Sequence, residues 1–450
     1  MKLSKIIEYT KGTLKGNTDT EIDVANYVTD SRKINEGDFY VPIIGENFDG
    51  HDFMHEALQK GAIGCFSAKK TEVPEGKFII EVEDTLKAYQ DVARAYRDST
   101  KVPLVAITGS VGKTTTKDMI SAVLAEHYSV LKTEGNLNNF IGLPRTLLNY
   151  KNQEIIVLEM GMNHFNEISV LSNIAKPNIA VLTNIGHSHI GNLGSRENIL
   201  KAKMEIIEGM NDDGVIIANN DDLYLKTIKD KVKQKVITYG IKNKSDYMAY
   251  DVVMTDTDTT FKIKDEEKIY KVKINLPGEH LVYNALAAWA VGKVNNVKNE
   301  EIIKGIENFE MSKLRMDIKE KNNVKIINDT YNANPESMKA ALQTLSKMNG
   351  NRKIAVLADM LELGEMSKNI HFELGKTISD LKIDNIFTYG EEAKEIAKGA
   401  IDAGCSNVKI FGDKEELIKE LKQFLKPDDI VLIKGSRGMK MDEVVNAYME

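Results

Sequence analysis

The sequence ITGSVGKTTT at residues 107–116 constrains the fold of this chain more than any other segment. A mostly apolar run, residues 102–108, leads into it and an amphipathic segment follows, which predicts a buried strand, a glycine loop and a helix. Glycines let backbone N–H groups close around phosphate oxygens, and the helix N-terminus adds partial positive charge. Lys113 supplies a full positive charge, and the Thr114 hydroxyl can serve as a ligand for Mg²⁺. The alternative is a glycine-rich turn followed by a surface lysine.

Nucleotide phosphates are predicted to contact this loop and the first turn of the helix. One position departs from the usual phosphate loop, because Ile107 stands where a glycine or alanine normally lies. The residues assigned to nucleotide binding here are Gly109, Ser110, Val111, Gly112, Lys113, Thr114 and Thr115.

Further apolar runs, mostly separated by helical stretches, predict parallel βαβ units with both sheet faces covered. The first series of strand candidates comprises residues 155–159, 179–183, 215–218 and 235–239. The second series, after the pattern restarts near residues 312–315, comprises residues 324–328, 353–357, 385–389, 408–411 and 430–433. Between them, the polar alternating region 247–274 predicts antiparallel strands, and a helix carrying Trp289 follows.

The chain is too long, at 450 residues, for one comfortable hydrophobic core. We predict an α/β fold with three domains. These are a small mixed α/β N-terminal domain (residues 1–100), a central P-loop-type parallel-sheet ATPase domain (residues 101–312) and a C-terminal Rossmann-like domain (residues 313–450).

Charge and cysteine usage narrow the cellular setting. The net charge of -7 argues against a nucleic-acid partner, because phosphate backbones attract clustered Lys and Arg. Cys65 and Cys405 match no metal or redox spacing. The N-terminus becomes charged too early for a signal peptide, and no run approaches the roughly 20 apolar residues of a membrane span. We therefore expect a cytoplasmic protein without a membrane partner.

Two side chains at the ends of predicted strands are candidate metal ligands. Glu159 ends the run IIVLE at residues 155–159, and His189 follows the strand that ends near Thr183. Ligands bind at the carboxyl ends of parallel strands, so both side chains should face the phosphate loop. The alternatives are an acid that merely ends a strand in solvent and a solvated loop histidine.

Lys203 falls on the apolar face of a predicted helix, which Ser195 caps and which runs to about Gly209. The apolar stripe comprises Ile199, Ala202, Ile206 and Met210. The solvent face is predicted to carry Lys201, Glu205 and Glu208. A lysine on a buried stripe must pair, extend to solvent or change its charge. Reaction with CO₂ would make it a carbamate, an oxygen ligand suited to Mg²⁺, whereas the alternative is a snorkelling amine.

Taken in order, these motifs resemble the Mur ligase family across essentially the whole chain. The shared elements are TGSVGKTTT, EMG at residues 159–161, TNIG at residues 183–186 with His189, and AK at residues 202–203. The shortened loop that begins at Gly109 is typical of Mur ligases and folylpolyglutamate synthetases. The resemblance implies ATP-driven amide ligation, with Lys113 at the phosphates and two Mg²⁺ ions managed by Thr114, Glu159, His189 and a carbamylated Lys203.

Longer motifs are similar to the branch of that family that adds D-alanyl-D-alanine to a UDP-N-acetylmuramoyl-tripeptide in peptidoglycan synthesis. They are GNLNNFIGLP at residues 135–144, DTYNANP at 329–335, DMLELG at 359–364 and KGSRGM at 434–439. The resemblance implies that both compounds and ATP bind this chain, which we expect to act as a monomer. It assigns Asp329 to nucleotide binding and Asn138, Asn139, Asn332 and Asn334 to substrate binding. For Asp329 and Asn332 the alternative is turn and capping chemistry, and Asn334 is predicted to be the N-cap of the helix that follows.

The N-terminal domain carries two polar loops, TDSR at residues 29–32 and GENFDGHDF at residues 45–53. They resemble the uridine-diphosphate module of the tripeptide- and pentapeptide-forming Mur ligases. The resemblance alone implies substrate binding by Ser31, Arg32, Asn47, Asp49 and His51.

Two further residues gain a role through the resemblance. Arg315, at the start of the third domain, would contact ATP phosphates when the domains close, and an interdomain salt bridge is the alternative. Asn284 lies in an apolar helix, where its amide would pair with adenine or satisfy helix packing. Two positions depart from the family: Gly191 replaces an acid two residues after the metal histidine, and Leu281 replaces an asparagine.

Two other classes of protein fit parts of this pattern. The tripeptide-forming Mur ligase or a folylpolyglutamate synthetase would share the phosphate loop, but the Asp-Asn-Pro-Arg motif usual in the former is absent. A P-loop binding switch would turn over ATP without forming an amide. It would not need Lys203 and Glu159 together beside a substrate loop.

Overall fold

The computed structural model describes all 450 residues, and their strands form three separate sheets in chain order. The three-domain α/β fold is thereby confirmed. The domain boundaries at residues 100/101 and 312/313 stay predictions. No helix combines the length and apolar character that crossing a bilayer requires.

The N-terminal domain is built on a five-stranded sheet in the order β1-β5-β4-β3-β2, parallel except for β1. Its strands are β1 (Thr13–Lys15), β2 (Tyr27–Val28), β3 (Phe39–Tyr40), β4 (Gly64–Ser67) and β5 (Phe78–Glu81). Its helices are α1 (Leu3–Thr10), α2 (Met54–Gln59) and α3 (Thr85–Asp98). Phe39, Phe66 and Phe78 form the aromatic centre of its core.

The central domain is built on a nine-stranded sheet in the order β14-β13-β12-β11-β10-β9-β6-β8-β7. Its strands are β6 (Leu104–Thr108), β7 (Val130–Lys132), β8 (Ile155–Glu159), β9 (Ile179–Leu182), β10 (Val215–Asn219), β11 (Lys235–Gly240), β12 (Tyr247–Met254), β13 (Thr259–Asp265) and β14 (Lys268–Ile274). Its helices are α4 (Lys113–Ala125), α5 (Gly142–Leu148), α6 (Glu167–Ala175), α7 (Ile190–Leu193), α8 (Arg196–Met204), α9 (His280–Val294) and α10 (Asn299–Glu307).

Parallel pairing runs from β7 to β12, and β13 and β14 continue the sheet in antiparallel fashion. The central strands β6, β8 and β9 are buried along their whole length because helices cover both faces of the sheet. Strand β6 lies between β8 and β9, so the loops after these three strands leave the same edge side by side. That edge is where ligands bind in sheets of this type.

The C-terminal domain is built on a six-stranded sheet in the order β15-β16-β20-β17-β18-β19, parallel except for the edge strand β15. Its strands are β15 (Asp317–Lys321), β16 (Val324–Asp329), β17 (Lys353–Ala358), β18 (Asn385–Tyr389), β19 (Val408–Phe411) and β20 (Ile430–Lys434). Its helices are α11 (Pro335–Lys347), α12 (Ser367–Ile378), α13 (Ala393–Asp402), α14 (Lys414–Phe424) and α15 (Asp442–Met449).

Apolar packing connects the central and C-terminal domains. One continuous cluster of 46 buried residues contains Leu158 and Ile199 of the central domain together with Met338 and Leu432 of the C-terminal domain. A second cluster, around Trp289 of α9, fills the other face of the central sheet. The two larger domains are therefore in contact, with their sheet edges facing a common space.

All of the predicted strands are present, with ends shifted by one or two residues. In the two larger domains, strands β7 and β15 were not predicted, because β7 is only three residues long and β15 reads DIKEK, a polar run on a sheet edge. The helix N-caps Ser195 and Asn334 are confirmed, since each side chain accepts a hydrogen bond from the backbone N–H three residues on.

Helix α8 differs from its prediction. It ends at Met204, where a 3₁₀ turn, Glu205–Ile207, replaces the expected continuation. The prediction that Glu205 lies on the solvent face is wrong. Its carboxylate is buried and accepts hydrogen bonds from Asn166 N (2.8 Å) and Ser169 N (3.1 Å) at the start of α6. Those two N–H groups offset the cost of burying the charge.

Candidate active site

The phosphate loop joins β6 directly to α4. Gly112 is the helix N-cap in the left-handed region (φ 82°), and Lys113 is the first helical residue. A Cβ on Gly109 would collide with the Thr183 hydroxyl, so only glycine fits there. The Lys113 amine donates to Gly109 O at 2.8 Å and therefore folds back over the loop. Burial lowers the pKa of Lys113, while the nearby Glu159 carboxylate opposes that shift.

The loop after β9 is bonded to the phosphate loop along its length. Asn184 accepts a hydrogen bond from Val111 N (2.9 Å) and donates to Val111 O (3.0 Å). Gly186 N donates to the Ser110 hydroxyl at 2.8 Å, and the Ser188 hydroxyl donates to Ser110 O at 3.2 Å. The backbone that carries His189 is thus fixed relative to the phosphate site.

Glu159 ends β8 and is buried at the sheet edge, which excludes the solvated alternative. Its Oε1 accepts a hydrogen bond from Asn138 Nδ2 at 2.8 Å, whereas its buried Oε2 has no partner in the protein. A buried carboxylate oxygen without a partner is costly unless a ligand satisfies it. Asn139 instead accepts from Ile141 N and Gly142 N at the start of α5, which is turn chemistry.

Three consecutive residues after Gly186 contact the C-terminal domain. His187 donates through its backbone N–H to Glu336 Oε1 at 3.0 Å, and its ring Nδ1 is 2.5 Å from the same oxygen. Ser188 Oγ accepts from Asn334 Nδ2 at 2.9 Å. His189 Nδ1 lies 2.8 Å from Glu362 Oε2, an ion-pair distance without aligned hydrogen-bond geometry. His189 and Lys113 hold the pKa of Glu362 below its ordinary value.

Lys203 is buried on α8, only 1% exposed, so it does not snorkel to solvent. Burial, and then the charge of Lys113, hold the pKa of its amine well below the ordinary value. No hydrogen bond or ion pair connects the amine to another protein group. The Lys203 amine is therefore buried without a protein partner, close to the phosphate-loop lysine.

Arg315 reaches the phosphate loop from the junction of the two domains. Its Nη2 donates to Thr114 Oγ1 at 3.1 Å, and its guanidinium lies 4.0 Å from the centre of the Tyr331 ring. Its buried Nε has no partner. No carboxylate pairs with Arg315, so the salt-bridge alternative is wrong. The free donor points to a ligand at the phosphate loop.

Asn284, on α9, is buried against the phosphate loop. Its Nδ2 donates to Thr116 Oγ1 at 2.8 Å and to Gly112 O at 3.3 Å. The amide group thus has a packing role, and its carbonyl oxygen makes no hydrogen bond within the protein. That oxygen is the atom left for a purine amine.

Asp329 ends β16 and pairs with the buried Lys434, whose amine is 2.6 Å from Asp329 Oδ2 and donates to Asn332 O at 2.9 Å. The Asn332 side chain accepts from Ala333 N within its own turn. The half-buried His280 lies near this pair, and desolvation lowers the pKa of its ring. The DTYNANP turn is thus held by a lysine from a neighbouring strand.

A cavity of about 540 Å³ lies between the central and C-terminal domains. It brings together most of the predicted residues. From the central domain they are Ser110, Val111, Gly112, Lys113, Thr114, Thr115, Asn138, Asn139, Glu159, His189 and Asn284. From the C-terminal domain they are Arg315, Asp329, Asn332 and Asn334. Gly109 and Lys203 lie behind this wall.

The predicted residues of the N-terminal domain lie outside the cavity, and most of them bond within their own loops. Arg32 pairs with Asp30 at 2.8 Å, and Ser31 is buried beside it. Asp49 accepts from His51 N at 2.9 Å and pairs with the Lys69 amine at 2.6 Å. The His51 Nε2 accepts from Ala68 N, and Asn47 is exposed without a bond. The structure gives these residues loop-forming contacts.

The side chains beside the phosphate loop provide only part of the donor set that a divalent ion needs. Glu159 and His189 are ordinary ligands, and nowhere do three or more His, Cys, Asp or Glu side chains gather in a metal-binding arrangement. A two-residue set needs further oxygens, which the Thr114 hydroxyl, a nucleotide phosphate or a modified Lys203 would supply. The unpartnered Oε2 of Glu159 is the observation that fits a bound cation best.

Four residues of the site were not singled out from the sequence: Lys434, His280, Glu336 and Glu362. Lys434 ends the buried run 430–434 at a sheet edge, the same signal that identified Glu159. Glu362 lies within the motif DMLELG, but nothing in its spacing points to His189. His280 and Glu336 are single polar residues at helix starts, and only tertiary structure brings them here.

Three family models match the chain in order. The model described as "Mur ligase family, catalytic domain" matches residues 23–97. "Mur ligase middle domain" matches residues 107–292, and "Mur ligase, glutamate ligase domain" matches residues 314–437. Fold, phosphate loop and family models agree, and the chain belongs to the Mur ligase family.

Within that family the chain is MurF-like. It is 41% identical to the UDP-N-acetylmuramoyl-tripeptide–D-alanyl-D-alanine ligase of Bacillus subtilis, over 100% of this chain and 98% of that protein. The crystal structure of MurF from Acinetobacter baumannii superposes with a TM-score of 0.92 at 31% identity, covering 100% and 98% of the two chains. The crystal structure of the MurF ligase from Thermotoga maritima in complex with ADP superposes with a TM-score of 0.86 at 31% identity. The match covers 94% of this chain and 97% of that chain.

Proposed function

We propose that this chain uses ATP to join D-alanyl-D-alanine to UDP-N-acetylmuramoyl-tripeptide, which forms the UDP-linked pentapeptide of peptidoglycan synthesis. The observation that carries this function is the cavity between the two larger domains. Its lining includes the phosphate loop, Glu159 with its unpartnered oxygen and Arg315 with its unpartnered Nε. The full-length likeness to D-alanyl-D-alanine ligases supports the choice of substrates.

The nucleotide is proposed to lie along the start of α4. Loop N–H groups, Lys113 and the helix N-terminus would hold its phosphates, while the Asn284 carbonyl oxygen would accept from adenine. Arg315 would add its free Nε to the phosphates once the C-terminal domain is docked. Asp329, held by Lys434, would complete the nucleotide site from the opposite sheet edge.

Two Mg²⁺ ions are proposed, with Thr114, Glu159, His189 and a carbamylated Lys203 as the residues that hold them. When bound, these ions would neutralise charge on the transferring phosphoryl group. The carbamate forms when the neutral Lys203 amine attacks CO₂ and loses a proton, and burial favours that neutral amine. The product is an anion beside Lys113, which makes it easier to retain than the buried ammonium ion.

A carboxylate does not acylate an amine at neutral pH without activation. The tripeptide carboxylate would attack the γ-phosphorus of ATP, and ADP would leave, giving an acyl phosphate. The amine of D-alanyl-D-alanine would then attack the acyl carbon, and phosphate would leave as the amide forms. Lys113 and Arg315 would position the phosphoryl group, and the docked domains would exclude water that hydrolyses the intermediate.

The substrates are proposed to approach from the N-terminal domain and the facing loops. Asn138 and Asn139 lie beside Glu159, while Asn332 and Asn334 line the C-terminal wall. The five candidates in the N-terminal domain would contact the uridine-diphosphate end. They are Ser31, Arg32, Asn47, Asp49 and His51.

The reaction consumes ATP and a UDP-linked precursor, so we place it in the cytoplasm, where nucleotides are held. One chain contributes all the residues proposed around the cavity, and we propose that it acts as a monomer.

Phosphate release from ATP tests this function, measured with UDP-N-acetylmuramoyl-tripeptide and with D-alanyl-D-alanine, diaminopimelate or lysine as the amine. We expect release only when the tripeptide and D-alanyl-D-alanine are both present, with one amide formed per phosphate. Release with diaminopimelate or lysine on a shorter precursor would identify a sister ligase instead. ATP turnover without any amide product would identify a binding switch.

A further inference from the structure

Gly191, two residues after His189, has no side chain, and the C-terminal domain brings a carboxylate to the His189 ring. Glu362 Oε2 lies 2.8 Å from Nδ1 of His189. Metal-binding histidines generally hold the nitrogen that faces away from the metal against a carboxylate or carbonyl. Because Nδ1 of His189 faces this carboxylate, Nε2 remains available for a ligand.

The backbone around this contact is built for close approach. Gly191 N donates to Glu362 O at 3.3 Å, and a Cβ on Gly191 would come within 2.9 Å of Gly364 N. Any side chain at position 191 would therefore push the two domains apart. The glycine thus permits the close approach of the segment that carries Glu362.

Both partners of the contact have left-handed backbone conformations, His189 with φ 63° and Glu362 with φ 67°. Such conformations are rare for residues other than glycine and are retained where the surroundings impose them. In each case the unusual backbone directs the side chain across the domain interface. The contact is thus set by both main chains.

We propose that Glu362 is a positioning residue that orients the His189 ring for the divalent cation only when the C-terminal domain is docked, so that metal affinity and domain closure are coupled. This inference rests on the proposed function, because it takes His189 as a metal ligand. Coupling is reciprocal, so a bound cation stabilises the docked arrangement by the factor by which docking improves cation binding.

The test uses Mn²⁺ as the probe, with the full chain and a non-hydrolysable ATP analogue. Electron spin-echo spectra of Mn²⁺ report coupling to an imidazole nitrogen, and titration gives the dissociation constant of the coupled ion. Glu362→Gly removes the carboxylate and suits the left-handed backbone, whereas Glu362→Gln keeps an acceptor of the same shape. Glu365→Gln is the matched control, because Glu365 is an exposed acid nearby without a partner.

For Glu362→Gly we expect the coupled Mn²⁺ to bind roughly tenfold or more weakly than in the parent. Glu362→Gln should recover part of the lost affinity, and Glu365→Gln should keep the parental affinity. In a His189→Ala background, Glu362→Gly should have no further effect, because the carboxylate acts through that ring. Equal affinity and equal coupling in parent and Glu362→Gly would overturn this inference alone. Absence of imidazole coupling in the parent itself would overturn the metal assignment and the inference with it.

Discussion

Arg315 Nη2 lies 3.1 Å from Thr114 Oγ1, so a residue pair that bridges the two larger domains also lies at the proposed phosphate site. The guanidinium stacks on Tyr331, which fixes its plane. Under the proposed function, an arginine in this position would link docking of the C-terminal domain to a bound nucleotide phosphate.

Arg315→Lys should reduce kcat/KM for ATP by about 10²–10³-fold, because an ammonium group cannot reproduce the stacked, forked set of donors. Steady-state phosphate release gives the value. The exposed and unpartnered Arg94 offers a control, and Arg94→Lys should leave kcat/KM unchanged. A lysine variant with parental kcat/KM would show that Arg315 does not contact the transferring phosphate.

Lys113→Ala should slow turnover on the order of 10³-fold or more, since it removes a full positive charge from the phosphate loop. Binding of the UDP-linked substrate, measured by calorimetry, should be unaffected, because its proposed contacts lie in the N-terminal domain. Near-parental turnover would contradict the assignment of this loop to ATP.

Lys203 should carry a carbamate at neutral pH in the presence of bicarbonate. With ¹³C-bicarbonate we expect a single protected carbamate resonance in the parent and in Lys201→Met, which changes an exposed lysine of the same helix. Lys203→Met should abolish the resonance. An unmodified Lys203 amine in the parent would contradict the proposed carbamate but not the proposed ligase function.

The buried ring of His371 should make the C-terminal domain sensitive to acid. Its Nε2 accepts from Met360 N at 2.9 Å and its Nδ1 donates to Ser367 O at 2.8 Å, an arrangement that only the neutral ring can make. Burial lowers the pKa of His371 below 6.5, although nearby acids including Asp359 oppose the shift. Protonation is thus easier in the unfolded chain, so stability is complete above pH 6.5 and is lost as pH falls towards the lowered value.

His371→Leu should cost about 1–3 kcal/mol at pH 7.5, because it leaves a buried N–H unpaired. The difference from the parent should shrink below pH 6.5, where the parent loses its own advantage. Thermal unfolding midpoints of the parent and of His371→Leu between pH 5 and 8 measure this difference in stability. A difference that is constant with pH would show that His371 does not titrate on unfolding.

The local part of the fold and site could be predicted from the sequence. Glycine at 109 and 112, the cap Asn334 and the apolar runs express requirements that neighbouring residues set, so they are visible along the chain. The partners that arrive from elsewhere were not visible. Lys434 reaches Asp329 from another strand, Glu362 reaches His189 from another domain, and the N–H groups that satisfy Glu205 belong to another helix.

Transfer of oxygen from the tripeptide to phosphate tests the central claim, which is that the central sheet edge holds ATP so that a bound carboxylate can be phosphorylated. Both oxygens of the terminal carboxylate of the tripeptide are labelled with ¹⁸O. The mass of the released phosphate is then measured by mass spectrometry after one turnover with D-alanyl-D-alanine. One ¹⁸O should appear in each phosphate, with the other retained in the new amide. Amide formation with unlabelled phosphate would contradict the account.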